Sequence, residues 1–540
     1  MSNKNTPNTA SKPNLILLIV VIALAVCACC TAVIAVIQSI RADNPTEPTQ
    51  STVNAEELAE AARNTVAVTI GDHQLNAVEL NYFYMETVNN FLGQFGYYLY
   101  SIMDVSKPLN EQKCSFDETM TWADYLMDMT EENIKSTYML CEMAEDAGFT
   151  LSAEEQAYET EMVEAIKMAA AQYQYADVDA YIADVYGYGA DLESYTKYYH
   201  MILLADVYYA HYAESLTFDD SALQEHEAKE PHLYNSYSFA YYYLDPAKFL
   251  TGGVEGSDGK VTYTEEQKKA ALEAAREAAN ALIGNACADK EAFEDLILSM
   301  DVHASLESVS VTEKNNLFSS SMDETFREWV IDAKRTAGEV TVIPKTTTDK
   351  DNKEIVEGYY IVWFAGLNDN QFFMKDVRHI LISFKDDNGK TYADGVQSFT
   401  EAQKSVAKEG IDAVKALWEA GELTEEAFAA LAKEKSEDLY SKPNGGLCAN
   451  IVPGQMVEPF DKWCFDETRV AGNYEIVETV YGYHLVYFVG DTEMTYREYL
   501  IDSSLRNKTV TEWHEALVES AELTVLCLDY CKLDLVISGS

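Results

Sequence analysis

The chain has 540 residues, with 39 Lys or Arg against 90 Asp or Glu, and a formal net charge of −51. Phosphate binding needs clustered positive charge, so this balance argues against nucleic acid as a partner. At 48% hydrophobic residues the chain is neither disordered nor fibrous, and its length suits about three domains, each with its own core.

Residues 15–37 are almost wholly apolar and carry no charge. At about 1.5 Å per helical residue they cross a hydrocarbon core of about 30 Å. A cleaved signal peptide has a shorter apolar core, and Val26-Cys27-Ala28-Cys29 only loosely resembles a lipoprotein signal, so the run reads best as an uncleaved anchor. Lys4 and Lys12 precede it without an acidic residue, which predicts a cytoplasmic N-terminus and a single-pass protein of the cell membrane with its bulk extracytoplasmic. The Pro/Thr-rich residues 44–52 read as a tether, so residues 1–50 form tail, anchor and tether. Beyond the anchor, seven scattered cysteines contain no CxxC, and free buried thiols are expected rather than a zinc site.

Residues 51–233 are expected to be mostly helical, after one short strand at 66–70. Residues 51–235 hold 34 acidic and 7 basic side chains and 20 of the 36 tyrosines. Two readings stay open: amphipathic helices with an acidic solvent face, or an adaptable client-binding surface built on tyrosine's apolar body and polar tip.

An internal duplication follows. FREWVIDAKRTAGEV (326–340) and FDKWCFDETRVAGNY (460–474) share Phe, Trp, Asp, Arg, Ala and Gly at a constant offset of 134. TYTEEQK (262–268) matches SFTEAQK (398–404), and GYYIVWF (358–364) matches GYHLVYF (482–488). Two copies of one unit, at 234–366 and 376–490, are therefore expected. Each opens and closes with a strand around helices, as in an α+β sandwich. In the second copy the helices fall near 400–419 and 424–435. Two histidines distinguish it: His379 on the opening strand, set against Ala240 of the first copy, and His484 on the closing strand, where the first copy has Tyr360. Terminal strands of one unit can lie side by side and bring such a pair together.

The runs VRHILI (377–382), EEAFAALAKEKSED (425–438), SKPNGGL (441–447), GQMVEPF (454–460) and VYGYHLVYF (480–488) resemble a parvulin peptidyl-prolyl isomerase domain, in the family's order and spacing. The whole plan is similar to PrsA- and SurA-type extracytoplasmic foldases. The resemblance implies an α+β chain with an N-terminal transmembrane helix, a mostly helical chaperone-like domain and two parvulin-like units, the first degenerate. Residues 491–540 would supply a C-terminal helix, near 509–521, packing on the helical domain.

The resemblance also implies the site. Met456 and Phe460 match the proline pocket, with Leu447 at its wall; His379 and His484 match the paired histidines; Thr479 matches the hydroxyl bonded to them. Asp438 matches the polar group facing the reacting carbonyl, acting through a raised pKa or by polarising the histidines. Isomerising an X–Pro bond breaks no covalent bond, so no cofactor or metal is expected. Two departures stand out: Cys448-Ala449-Asn450 with one extra residue before GQM, and Tyr481 three residues before His484. Lys385 is followed by Asp386 and Asp387 rather than a basic cluster, which disfavours selection for phosphorylated substrates. The first copy lacks both histidines and, by this reading, any GQM-type segment.

The implied function is a membrane-anchored peptidyl-prolyl cis-trans isomerase and foldase. Its partners would be unfolded or newly translocated chains with X–Pro bonds, and the sequence permits a homodimer. The alternative is a catalytically weak holdase that binds clients through the helical acidic domain. An adhesin that borrowed the fold is a third reading.

Overall fold

The computed structural model describes residues 55–537 apart from Asp349 and Asp351. The expected anchor at 15–37 lies outside the described residues, and among those described no helix is long and apolar enough to cross a membrane. Two compact units divide the chain: residues 55–217 with 506–537, and residues 218–505.

The first unit begins with α1 (Ala55–Asn64), β1 (Val66–Ile70) and β2 (His73–Asn76), then α2 (Ala77–Phe95), α3 (Trp122–Asp146), α4 (Ala153–Gln172), α5 (Val178–Tyr186) and α6 (Leu192–Ser215). Local sequence starts these helices. Asn76 with Glu79, Thr121 with Asp124 and Ser152 with Glu155 form reciprocal capping boxes, each cap contributing about 1 kcal/mol. Many of the tyrosines belong to the core: Tyr82, Tyr84, Tyr181, Tyr186, Tyr195 and Tyr198 are all buried. Tyr82 stacks on Tyr198 at 5.2 Å and shares a hydrogen bond with Ser194 Oγ at 2.8 Å.

The second unit opens with α7 (Asp220–Lys229) and holds both copies of the repeat. The first copy comprises β3 (Ser236–Leu244), α8 (Glu265–Asn280), α9 (Lys290–Leu298), β4 (Thr312–Phe318), α10 (Glu324–Val330), β5 (Val340–Thr348) and β6 (Glu354–Asn368). The second comprises β7 (Phe373–Ser383), α11 (Glu401–Glu419), α12 (Glu425–Lys435), β8 (Leu447–Ile451), α13 (Glu458–Cys464), β9 (Tyr474–Glu478) and β10 (Gly482–Thr495). The sheets run β4-β3-β6-β5 and β8-β7-β10-β9, all antiparallel, so the copies share one topology. In each, the long helix pair covers one face and the short helix the other.

The shared residues have a physical explanation. Arg335 lies over Trp329 at 4.0 Å and donates to its carbonyl; Arg469 does the same over Trp463 at 4.1 Å. Gly338 and Gly472, at φ 96° and 87°, then turn the chain so that their N–H groups reach Phe364 O and Phe488 O. After the second copy comes α14 (Tyr496–Ser520). Its later residues belong to the first unit, where Trp513 stacks on Tyr212 at 3.8 Å. The short β11 (Leu523–Val525) pairs with β1.

Candidate functional site

The two histidines meet because β7 and β10 are neighbours. His379 stands opposite Val486 and His484 opposite Leu381, so they are diagonal residues on one sheet face. Their Nδ1 atoms are 3.0 Å apart and both rings are buried. From there the contacts extend both ways. His379 Nε2 is 3.1 Å from Asp438 Oδ2 and 2.9 Å from Ser441 Oγ, while His484 Nε2 is 2.9 Å from Thr479 Oγ1. The Ser441 hydroxyl and N–H both donate to Asp438 Oδ2.

One proton arrangement satisfies every contact. Burial alone would depress the His379 imidazole. The hydrogen bond to the Asp438 carboxylate opposes this, and the group is held up at about 9. Burial, together with the neighbouring His379 charge, pushes His484 down to about 3. His379 is thus an imidazolium that donates Nδ1–H to His484 and Nε2–H toward Asp438. His484 stays neutral and donates Nε2–H to Thr479. Burial opposes ionisation of Asp438, but His379 and Ser441 hold its carboxyl below the ordinary carboxylate range. These partners favour an ionised Asp438 over the raised pKa considered for it, so it stands beside the histidines as an anion.

The loop carrying Asp438 is fixed to the edge of β7. Leu381 N donates to Ser436 Oγ, Glu437 N to Leu381 O, and Ser383 N to Glu437 Oε2. Gly446, in the turn before β8, backs the histidine, its carbonyl accepting from His379 N at 2.8 Å. At φ 74° a Cβ there would stand 2.2 Å from His379 O, so the second glycine of GGL is demanded by sterics.

Phe460 is buried and lies edge-on to both imidazoles, at 5.6 and 5.4 Å. Half-buried Met456 packs on the same cluster with Val377, Val486 and Phe488. Leu447 does not join them. It pairs with Arg378, and the pleat directs that pair to the opposite face; Cys448, paired with Val377, takes the place at the wall. The extra residue before GQM is absorbed as a bulge between Cys448 and Ile451, with Asn450 at φ 55° and its N–H on Asp376 Oδ1 at 2.7 Å. Tyr481 turns its ring to Tyr392 and gives its N–H to Thr479 Oγ1.

The first copy carries the same site in an aromatic form. Strand pairing sets Tyr241, not Ala240, at the position of His379, because Tyr241 pairs with Val362 as His379 pairs with Val486. Tyr241, Tyr360 and Phe326 form a cluster at 4.6 to 5.4 Å. Met322 lies 134 residues before Met456, so the first copy keeps the Met and Phe of the pocket although Ser320-Ser321 stand where the second copy has Gly454-Gln455. Met322 is buried, and Tyr241 is stacked on Phe326. Sequence reasoning also missed Ser441; its signal was the Asp-x-x-Ser spacing at a helix exit, which favours a local side-chain bond.

Residues 379–490 match the Rotamase family model, the PPIC-type PPIASE domain. The second copy is thus a rotamase domain of the parvulin type. The foldase protein PrsA 1 of Listeria innocua serovar 6a is 44% identical over 71 residues, 13% of this chain and 23% of the relative. The foldase protein PrsA of Caldanaerobacter subterraneus subsp. tengcongensis is 33% identical over 105 residues, 18% of this chain and 34% of the relative. A solved structure, peptidylprolyl isomerase (PrsA) from Bacillus cereus, aligns at 27% identity and a TM-score of 0.17, covering 28% of this chain and 49% of that one. The chain spans about a quarter to a third of the length of these curated relatives.

Proposed function

We propose that the second copy isomerises X–Pro bonds without covalent chemistry, and that the chain acts as a membrane-anchored, extracytoplasmic foldase. The observation that carries this reading is the buried Thr479–His484–His379–Asp438 chain of contacts beside Phe460 and Met456. Resonance gives a planar amide a partly negative oxygen, and twisting removes that charge along a barrier of about 18–20 kcal/mol. An anion near the oxygen therefore raises the planar form more than the twisted one, which is differential stabilisation of the transition state. Asp438 supplies the anion. The histidines and Ser441 keep it ionised and in place, while Phe460 and Met456 seat the proline ring.

Phosphate selectivity is not part of the proposal. Lys385 is committed to Glu437 at 2.6 Å beside Asp386 and Asp387, a poor setting for a second anion. The test is a proline-tetrapeptide assay on the full chain. Acceleration over the spontaneous rate, lost in His379→Ala and in Asp438→Ala, is expected. A wild-type rate equal to the spontaneous one overturns the isomerase and leaves the holdase reading.

A further inference from the structure

The helical unit contains a cavity of about 300 Å³ bounded by α2, α3, α4, α5 and α6. One stripe of α6 runs along it: Tyr195, Tyr199 and Ile202 at helical spacing, ending in Asp206. Eleven residues at about 1.5 Å each put Tyr195 and Asp206 about 16 Å apart, the reach of four or five extended residues. Tyr181 and Tyr186 of α5 face the same space. Asp206 is exposed where it lines the cavity, and the protein packed around it pushes its carboxyl up to about 6. Among the described residues it has no hydrogen bond or ion pair, and no Lys, Arg or His lines the cavity. Glu86 adds a second carboxylate to the lining.

An unbalanced carboxylate at the end of an aromatic trough matches a cation on an apolar stem. Aromatic faces attract cations, and desolvation strengthens both contacts. We infer that this cavity binds an extended client segment of aromatic or aliphatic residues followed by a lysine or arginine, whose charge meets Asp206. The inference deepens the foldase reading by naming a client class. Proline-free probes keep its failure distinct from failure of the isomerase.

The test uses the full chain in detergent and two peptides bearing a neutral coumarin, Gly-Leu-Phe-Leu-Lys-Gly and its Lys-to-Glu counterpart, followed by anisotropy. The lysine peptide is expected to bind at least ten-fold tighter. Asp206→Asn should erase that difference, whereas Glu214→Gln, an exposed carboxylate of the same helix, should leave it intact. Ile202→Trp fills the trough and should weaken the lysine peptide ten-fold; unchanged helicity by circular dichroism verifies its fold. Equal binding of the two peptides by the wild type, or an undiminished preference in Asp206→Asn, overturns the inference.

Discussion

Single residues in the histidine chain titrate in opposite senses, and this gives the site a characteristic response to pH. The folded pKa of His379 is raised to about 9, above the ordinary 6.5, so its contribution is complete below about 6.5 and is lost as pH rises through 9. The folded pKa of His484 is depressed to about 3, so its contribution is present above 6.5 and is lost as pH falls toward 3. Stability from the pair therefore peaks near pH 6.5. Melting temperatures of the full chain and of His379→Gln, compared from pH 5 to 10, should converge on the alkaline side. A gap that persists at pH 10 refutes the assignment of the imidazolium. Ser441 offers a milder test. Its hydroxyl orients Asp438 and also accepts from His379, so Ser441→Ala should lower kcat/KM about ten-fold, in line with loss of about 1.4 kcal/mol. As a positioning residue it should also shift the alkaline limb of the pH–rate profile downward, because Asp438 would be held less firmly against His379. Packing alone would leave that limb unmoved.

Elements record which parts of the fold were legible. Helices α11 and α12 fall at the expected 400–419 and 424–435, whereas α10 and α13 were not foreseen as helices, although the repeat at an offset of 134 covers most of both, because Trp-Arg stacking and the turn glycine need fixed spacing. The opening strand was misread by one residue. Both copies carry the same bulge, at Ser238/Phe239 and at Asp376/Val377, so the slip arises because YSFAYYYLD and DVRHILISF share no residue that fixes their alignment, and period two turns a one-residue slip into a change of face. Ala240 thus faces the helix pair and Tyr241 the pocket. The same pleat removes Leu447 from the wall. Bulges carry their own sequence demand: Asn450 adopts a left-handed conformation that asparagine tolerates and β-branched residues resist. Asn450→Val should cost about 1–2 kcal/mol, read as a lower urea midpoint at unchanged slope, and should weaken isomerase activity by displacing Cys448 and the chain leading to Met456. Asn450→Gly should restore both. Equal midpoints for the Val and Gly variants count against a bulge at this place.

Across the whole molecule, charge and chemistry are segregated. Residues 376–490 carry 20 acidic and 11 basic side chains, a net of −9, whereas residues 51–235 carry −27. About half of the acidity that argued against nucleic acid belongs to the helical part. The duplicated units divide in the same spirit. Both retain Met, Phe, Trp and Arg of one packing motif, so both fold on it, yet only the second has an ionised pair beside the pocket. In the first, Tyr360 is a phenol whose ionisation burial opposes, and Tyr241 stacks on Phe326 at 4.6 Å. Matched substitutions at matched positions should therefore diverge. Tyr360→Phe is expected to leave the rate of X–Pro isomerisation in the full chain within two-fold, while His484→Phe abolishes acceleration. The double variant His379→Ala with Asp438→Ala, keeping the first copy intact, should return the full chain to the spontaneous timescale of tens to hundreds of seconds. Residual acceleration in that variant, sensitive to Tyr241→Ala, would assign catalysis to the aromatic copy and break the link between the histidine pair and the reaction.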